Sequence, residues 1–144
     1  MDVLVDTSIW SLGFRRNVET SNRDERSMKA ELMELIREGR ARIIGSIRQE
    51  LLSGIREETQ YIRIRGVVRA FEDESLAVED YELAARFSNQ CRALGISGSG
   101  VDFLISAVAH LRYWEIFTTD LDFTAYAGAI PIRLHAPRGS NLLH

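Results

Sequence analysis

Short apolar runs alternate with longer amphipathic segments along the chain. Val3 to Val5 is an apolar, largely β-branched run that ends at Asp6, which predicts a strand leading into the start of a helix. Apolar positions recur at helical spacing over Ser21 to Glu38, and the pattern stops at Gly39. Ala41 to Gly45 then has the composition of a buried strand. Strand and helix therefore alternate from the beginning of the chain.

The same alternation continues to the end of the sequence. Further helices are predicted over Ile47 to Ile55, Tyr61 to Phe71, Asp80 to Leu94 and Val101 to Leu111. Further strands are predicted at Leu76 to Val78, Glu115 to Thr118 and Pro131 to Leu134. Because parallel strands need crossovers of this length, the pattern predicts a three-layer α/β/α sandwich with a mainly parallel sheet of about five strands.

Composition limits the chain to one globular unit, and we expect a single domain over residues 1–144. The sequence has 144 residues, of which 45% are hydrophobic, enough for one core. Cys91 has no second cysteine to pair with, which fits a reducing cytoplasm and a small buried apolar role. No apolar run approaches the ~20 residues that span a bilayer. The expectation is a soluble cytoplasmic protein with no membrane partner.

Net charge speaks against simple nucleic-acid binding. The formal charge is -3, whereas a protein that binds by phosphate neutralisation alone should carry a basic excess. A nucleic-acid function would therefore need another source of positive charge.

Four carboxylates follow strands or begin helices, where ligands bind in α/β sheets. Asp6 follows the first strand, Asp120 follows the strand at 115–118, and Asp102 lies beside the glycine-rich turn 95–100. Glu50 lies one turn into the helix after the second strand. Taken singly, each has an ordinary alternative as a helix cap, a solvated residue or a turn residue. The predicted topology would gather all of them at one edge of the sheet.

Carboxylates gathered in a cleft repel one another and are costly unless a proton or a cation neutralises them. Mg²⁺ or Mn²⁺ is a suitable cation, because these hard ions take carboxylate and water ligands and leave positions for phosphate oxygens. A bound metal would also make an acidic cleft compatible with an anionic substrate, which answers the objection from net charge. Water activated in such a site could attack a phosphodiester.

Four motifs carry a resemblance to a known family. They are Val-Leu-Val-Asp6-Thr7-Ser8, Arg48-Gln49-Glu50-Leu51, Gly100-Val-Asp102-Phe-Leu-Ile-Ser-Ala107 and Thr118-Thr-Asp120-Leu-Asp122-Phe123. Their order and approximate spacing resemble those of PIN-domain nucleases across essentially the whole chain. Among these the sequence looks most like the VapC-type toxins of type II toxin–antitoxin pairs.

This resemblance implies an endoribonuclease that acts on structured RNA, such as transfer, ribosomal or messenger RNA, with one or two Mg²⁺ or Mn²⁺ ions. Asp6, Glu50, Asp102 and Asp120 match the acidic positions of the family as catalytic residues and metal ligands. Asp122 matches an accessory metal position, and Thr7 and Thr118 match supporting hydroxyls. The resemblance also implies a homodimer and a small antitoxin protein that covers the acidic cleft.

Other interpretations of the chain remain open from sequence alone. A PIN nuclease of RNA processing, outside any toxin–antitoxin pair, would carry the same motifs, and a non-catalytic binding module could use the same acidic edge. A phosphoacceptor domain would need a lysine near the last strand. It is disfavoured because Lys29, the only lysine, lies in an early helix.

Some side chains outside the motifs could have either a functional or an ordinary structural role. The histidines, including His110 and His135, show no metal-ligand spacing and predict ordinary roles. A group of arginines could form an RNA-binding ridge or a solvated surface: Arg56, Arg63, Arg65 and Arg69. A group of aromatic residues is expected to pack rather than to stack on bases: Trp10, Phe14, Tyr61 and Tyr113.

Overall fold

The computed structural model describes residues 1–14 and 22–139. The chain begins with β1 (Val3–Val5), α1 (Thr7–Gly13), α2 (Arg23–Arg37) and β2 (Ala41–Arg42). It continues with α3 (Gly45–Ser53), α4 (Glu58–Val68), α5 (Val78–Ala93), α6 (Gly100–Arg112), β3 (Glu115–Phe117) and α7 (Asp122–Ala127). The α/β fold class and the order of the predicted helices are confirmed. Ser21, the predicted start of the second helix, and His144 lie outside the described residues.

Strand β1 is the centre of a parallel sheet with the order β2-β1-β3. Val3 is in register with Ala41 of β2 and with Glu115 of β3. Every residue of β1 is buried, because neighbouring strands and the helices on the faces of the sheet surround it. Asp6 therefore leaves the sheet at its middle, at the carboxyl end of the central strand.

The sheet has fewer full strands than the sequence predicts. The described residues form three strands, and single parallel bridges extend the sheet at both edges, from Ile43 to Asp73 and from Ile116 to Leu134. The prediction of about five strands is wrong in number. Beyond β3, two hydrogen bonds of 2.9 and 2.8 Å join Ile116 to Arg133 and His135. Pro131 has no N–H to add a bond to this ladder.

The strand predicted at Leu76 to Val78 is also wrong. The chain meets the sheet earlier, where Glu74 N–H donates to Ile43 C=O at 2.9 Å, and α5 already begins at Val78. The Asp80 carboxylate accepts the Ala77 N–H at 2.8 Å. Arg112 donates to the carbonyl of residue 75 at 3.0 Å. Side chains thus satisfy backbone groups of this segment that a strand would pair with its neighbour. Local β propensity does not predict such contacts.

Helices of both halves of the chain pack onto the sheet. Helix α6 contacts β1, β3 and α5, while α2 contacts β2 and α1. The apolar core lies between these layers and includes Cys91, whose side chain is completely buried as expected. Trp10 is buried as predicted, and its indole N–H donates to Val5 C=O at 3.0 Å. Tyr113 departs from the prediction, because 76% of it is exposed.

Arg112 joins α6 to the segment that precedes α5. Its guanidinium pairs with Glu74 at 2.5 Å and with Asp80 at 2.7 Å. Only 3% of the Asp80 side chain is exposed, and the arginine beside it lowers the pKa of that carboxyl. The pair therefore places a fully charged carboxylate inside the protein and uses it to connect two helices.

A second charged network holds residues 135–138 against α2. His135 has one ring nitrogen 2.6 Å from the buried Glu31 carboxylate and the other 2.8 Å from Glu115. Arg138 pairs with Glu31 and with Glu38. This network supports an ordinary structural role for His135. In the described part of the chain, no helix combines the length and apolarity of a membrane span.

Candidate active site

Asp6 lies at the start of α1, but its carboxylate does not cap the helix. The residue takes the N-cap position, yet its side chain makes no capping hydrogen bond. The carboxylate accepts instead from the Thr118 hydroxyl at 2.8 Å and from the Ser8 hydroxyl at 3.2 Å. Only 8% of the residue is exposed. The capping alternative for Asp6 is therefore wrong, and two hydroxyls orient its carboxylate.

Burial dominates the ionisation of Asp6. Desolvation raises its pKa above the ordinary value of 3.8, while hydrogen bonds from Thr118 and Ser8 lower it. The negative charge of Asp102 raises it further. A carboxyl group in this situation gains stability from a nearby cation, because the cation replaces both the lost water and the missing opposite charge.

Asp102 is likewise not a helix cap. The N-cap of α6 is Ser99, whose hydroxyl accepts the Asp102 N–H at 3.1 Å. The Asp102 carboxylate accepts the Tyr126 hydroxyl at 2.7 Å. Tyr126, from α7, is completely buried, and its ring packs against Phe103 and Phe123 with centroid distances of 5.1 Å. A carboxylate on α6 is thus held by a phenol on another helix.

Sequence reasoning did not single out Tyr126. Its pKa is raised above the ordinary value of 10.0, first by desolvation and then by the hydrogen bond to Asp102 and the charges of Asp102, Asp122 and Asp120. Gly98 lies so close that an added Cβ would collide with the Tyr126 hydroxyl. The signal available in the sequence was the glycine-rich turn, but nothing in its pattern says which side chain it admits.

The turn after β3 links Thr118, Asp120 and Asp122. The Thr118 hydroxyl accepts the Asp120 N–H at 3.0 Å while donating to Asp6. Asp120 accepts the Asp122 N–H at 2.9 Å, so one of its oxygens shapes the turn, as the ordinary alternative for this residue supposed. The Ser8 hydroxyl accepts the Thr119 N–H at 3.0 Å. Hydroxyls from α1 and from this turn thus join the two loops that carry Asp6 and Asp120.

Glu50 completes the group from helix α3. Its pKa is raised, first by desolvation and then by the charge of Asp6, with smaller contributions from Asp102 and Asp120. The Thr7 hydroxyl lies near this carboxylate and lowers its pKa, but the two groups do not reach hydrogen-bond geometry, so Thr7 Oγ1 is buried without a hydrogen-bond partner. The structure therefore brings the four acidic residues close enough for their charges to interact.

The four carboxylates have the chemistry of a divalent-cation site, and a buried hydroxyl without a hydrogen-bond partner lies beside Glu50. Four mutually repelling carboxylates offer the oxygen ligands that Mg²⁺ and Mn²⁺ prefer, and Thr7 Oγ1 has no partner. Across residues 1–14 and 22–139, however, no three acidic, histidine or cysteine side chains converge to ligand distance. Tyr126 and the 120–122 turn hold Asp102 and Asp120 in the observed positions.

The histidines of the described segments take no part in this group. His110 places its Nδ1 2.9 Å from the Pro131 carbonyl and packs edge-on against Phe87. His135 lies in the network with Glu31. Both side chains make hydrogen bonds within the fold, which is what an ordinary structural role requires.

Family comparison assigns the chain to a class. The PIN domain model matches residues 3–129, and the chain therefore belongs to the PIN domain family. Members of this class are generally nucleases. The match spans all four motifs described above. No curated protein is similar enough in sequence to count as a relative.

Several solved structures share this fold. FitAcB from Neisseria gonorrhoeae matches with a TM-score of 0.73 and 17% identity, covering 94% of this chain and 97% of that one. VapBC2 from Rickettsia felis, bound to a DNA fragment from its promoter, has a TM-score of 0.71 and 13% identity over 94% and 98%. VapBC-1 from nontypeable Haemophilus influenzae has a TM-score of 0.67 and 15% identity over 94% and 97%. At these identities the likeness concerns the fold.

Proposed function

We propose that this protein is a metal-dependent endoribonuclease and the toxin of a type II toxin–antitoxin pair. The observation that carries the proposal is the mutual effect of its carboxylates. Asp6 and Glu50 both have raised pKa values, first because of desolvation and then because other acidic residues of the group add negative charge. Such a group favours binding of a cation. The position at the carboxyl end of the central strand is where α/β folds bind ligands.

Asp6, Glu50, Asp102 and Asp120 would hold Mg²⁺ or Mn²⁺, with Asp122 as an accessory residue. The ion would supply neutralisation of these charges and Lewis-acid activation of water and of the phosphate. The side chains of the protein hold the carboxylates in place: Thr118 and Ser8 orient Asp6. A carboxylate of the group that is not engaged by the ion could accept the proton of the attacking water. RNA as the substrate follows from the resemblance of the motifs.

An apolar groove supports an antitoxin partner. Trp10, Phe14, Leu32 and Val67 are among the residues that line a cavity of about 390 Å³ between α1, α2 and α4. Met33, also in its lining, is 50% exposed. A surface of this size and apolarity fits an amphipathic helix of a partner. Among the matching structures, VapBC-5 from Mycobacterium tuberculosis belongs to a family of toxin–antitoxin systems, and FitAB and VapBC2 are bound to DNA fragments. The homodimer and the cytoplasmic location belong to the same proposal.

The test is cleavage of total RNA by purified, partner-free protein with Mg²⁺, with Mn²⁺ and with EDTA. We expect discrete fragments that require metal and disappear in Asp6→Asn. Asp24→Asn is the matched control, because Asp24 is an exposed aspartate on α2 and the substitution makes the same chemical change. Growth arrest on expression, relieved by a neighbouring gene, would separate a toxin from an RNA-processing nuclease. Absence of cleavage by folded protein with either metal would replace the nuclease by a binding module.

A further inference from the structure

A groove separates helices α3 and α4. Two adjoining basins form it, with volumes of about 470 and 320 Å³. Both basins are lined by Arg48, Leu52 and Tyr61. We call this feature the α3–α4 groove. Because the two basins share these three residues, they adjoin one another, and an extended chain could pass from one to the other.

The α4 wall of the groove carries a regular stripe of three side chains. Tyr61, Arg65 and Arg69 follow one another at intervals of four residues, which places them on one face of the helix. The Arg65 guanidinium lies 5.7 Å from the centre of the Tyr61 ring. Among residues 1–14 and 22–139, neither Arg65 nor Arg69 has a side-chain hydrogen bond or an ion pair. Both charges are therefore available to a ligand.

Arg48 has a different function in the same groove. Its guanidinium donates to Asp73 at 3.0 Å, to Val68 C=O at 3.1 Å and to Phe71 C=O. These bonds tie α3 to the last turn of α4 and the residues after it. Because the groove walls are joined in this way, the groove exists before a ligand arrives and needs little ordering on binding.

The charge of the groove is opposite in sign to that of the whole chain. Its lining contains three arginines against two carboxylates, Glu72 and Asp73. Asp73 is already paired with Arg48. Glu72 is thus the one remaining carboxylate in the lining to balance Arg65 and Arg69, although the formal charge of the whole chain is -3. A local basic surface of this kind attracts an anionic chain.

The opposite wall connects the groove to the acidic residues. Gly45, Gln49 and Ser53 line the α3 side. Glu50, one of the four acidic residues, is the next residue after Gln49 on the same helix. Because consecutive residues of an α-helix lie about 100° apart around its axis, the face of α3 that carries Glu50 is next to the face that lines the groove.

We propose that the α3–α4 groove binds a single-stranded segment of RNA adjacent to the cleavage position. Arg65 and Arg69 bind its phosphates, for which the guanidinium geometry is suited, and Tyr61 stacks on an unpaired base. The inference rests on the proposed function, because the segment in the groove belongs to the substrate. It also revises two expectations from the sequence: only Arg65 and Arg69 of the arginine ridge line the groove, and Tyr61, which was expected to pack, lines it as well.

Binding is measured with the Asp6→Asn protein, by fluorescence anisotropy of a labelled single-stranded RNA over a range of salt concentrations. Adding Arg65→Ala and Arg69→Ala should weaken binding about tenfold and make the salt dependence shallower by about 1.4 in log–log slope, since each phosphate contact contributes about 0.7. Tyr61→Leu should weaken binding about tenfold with the slope unchanged. Arg23→Ala with Arg86→Ala is the control, because it removes the same charge from exposed positions of α2 and α5.

Equal affinity and equal slope in the groove variant and the control would overturn the proposal. So would loss of a dimer or of antitoxin binding in the groove variant while RNA binding is retained, because the groove would then belong to a protein partner. Hydrolysis of bis(p-nitrophenyl) phosphate by the wild-type protein with Mn²⁺ tests the proposed chemistry separately. If that reaction is absent while the binding differences are found, the nuclease fails and the RNA groove stands.

Discussion

Replacing Tyr126 by phenylalanine removes one oxygen atom and preserves the ring that packs against Phe103 and Phe123. The lost atom is the donor of the 2.7 Å hydrogen bond to Asp102. A hydrogen bond to a charged group contributes about 1.5–3 kcal/mol when its partner remains behind. Because Asp102 is half-buried rather than enclosed, the expected loss of stability is near the lower end, about 1.5 kcal/mol. For a chain of this size that corresponds to a decrease in Tm of roughly 5 °C.

The effect on metal binding should exceed the effect on stability. Residues that orient a ligating side chain through a hydrogen bond typically cost 10–100-fold in affinity or activity when they are replaced. We therefore expect the Kd of the protein for Mn²⁺, measured by isothermal titration calorimetry, to rise about tenfold in Tyr126→Phe. Tyr113→Phe is the control, because it deletes the same atom from a residue that is 76% exposed.

A double-mutant cycle with Asp102→Asn separates positioning from packing. If Tyr126 acts through the Asp102 carboxylate, removing its hydroxyl should have little further effect on metal affinity once that carboxylate is gone. Gly98→Ala should resemble Tyr126→Phe, because the new methyl group takes the space of the hydroxyl. The reasoning is refuted if Tyr126→Phe binds Mn²⁺ as tightly as the wild-type protein, or if its effect is unchanged in the Asp102→Asn background.

The remaining predictions concern stability. Because the folded-state pKa values of Asp6 and Glu50 lie above the ordinary 3.8 and 4.5, the stability they contribute is complete below those values and is lost as pH rises through the raised ones. The urea midpoint of the metal-free protein, followed by circular dichroism, should therefore fall less steeply with rising pH in Asp6→Asn, and Mn²⁺ should offset the wild-type loss. The pKa of Glu38 is lowered to about 2, so the stability that Glu38 contributes is lost as pH falls below 4.5. The urea midpoint of the variant is therefore compared with that of the wild-type protein at each pH. Arg112→Ala leaves the Asp80 carboxylate buried without its partner and should reduce the free energy of unfolding by about 3 kcal/mol. An urea midpoint equal to that of Arg86→Ala, an exposed arginine on α5, would contradict this prediction.

Local sequence patterns were sufficient to predict three of the helices and the central strand. Helices α2, α5 and α6 follow the periodic apolar positions closely, because their burial requires one continuous apolar face. The central strand was readable for the same reason, since all its residues are buried. The two outer strands were overestimated. The segment 131–134 meets the sheet through a single bridge at Leu134, whereas the segment 76–78 does not pair, because the bridge to Ile43 lies earlier, at Asp73. Whether a short extended segment pairs depends on its neighbour rather than on its own composition.

The candidate site divides in a similar way. Asp6, Glu50, Asp102 and Asp120 were singled out as candidates because a metal site requires acidic residues and because their positions after strands and at helix starts are visible in the chain. Tyr126 was missed, since an aromatic residue in a short helix has the same local pattern whether its hydroxyl meets solvent, backbone or a carboxylate. The stripe formed by Tyr61, Arg65 and Arg69 was present in the sequence, but a stripe on a helix does not reveal what it faces.

The sequence by itself determined the class of the protein, because strand ends, helix starts and the order of acidic motifs are properties of neighbouring residues along the chain. Tertiary structure alone decided which atoms meet: that the Thr118 hydroxyl reaches Asp6 from the neighbouring strand, that Tyr126 holds Asp102, and that Arg65 and Arg69 line the same groove as Arg48. Those contacts join residues far apart in the sequence. Their distances depend on the packing of whole elements in the core, which no local pattern records.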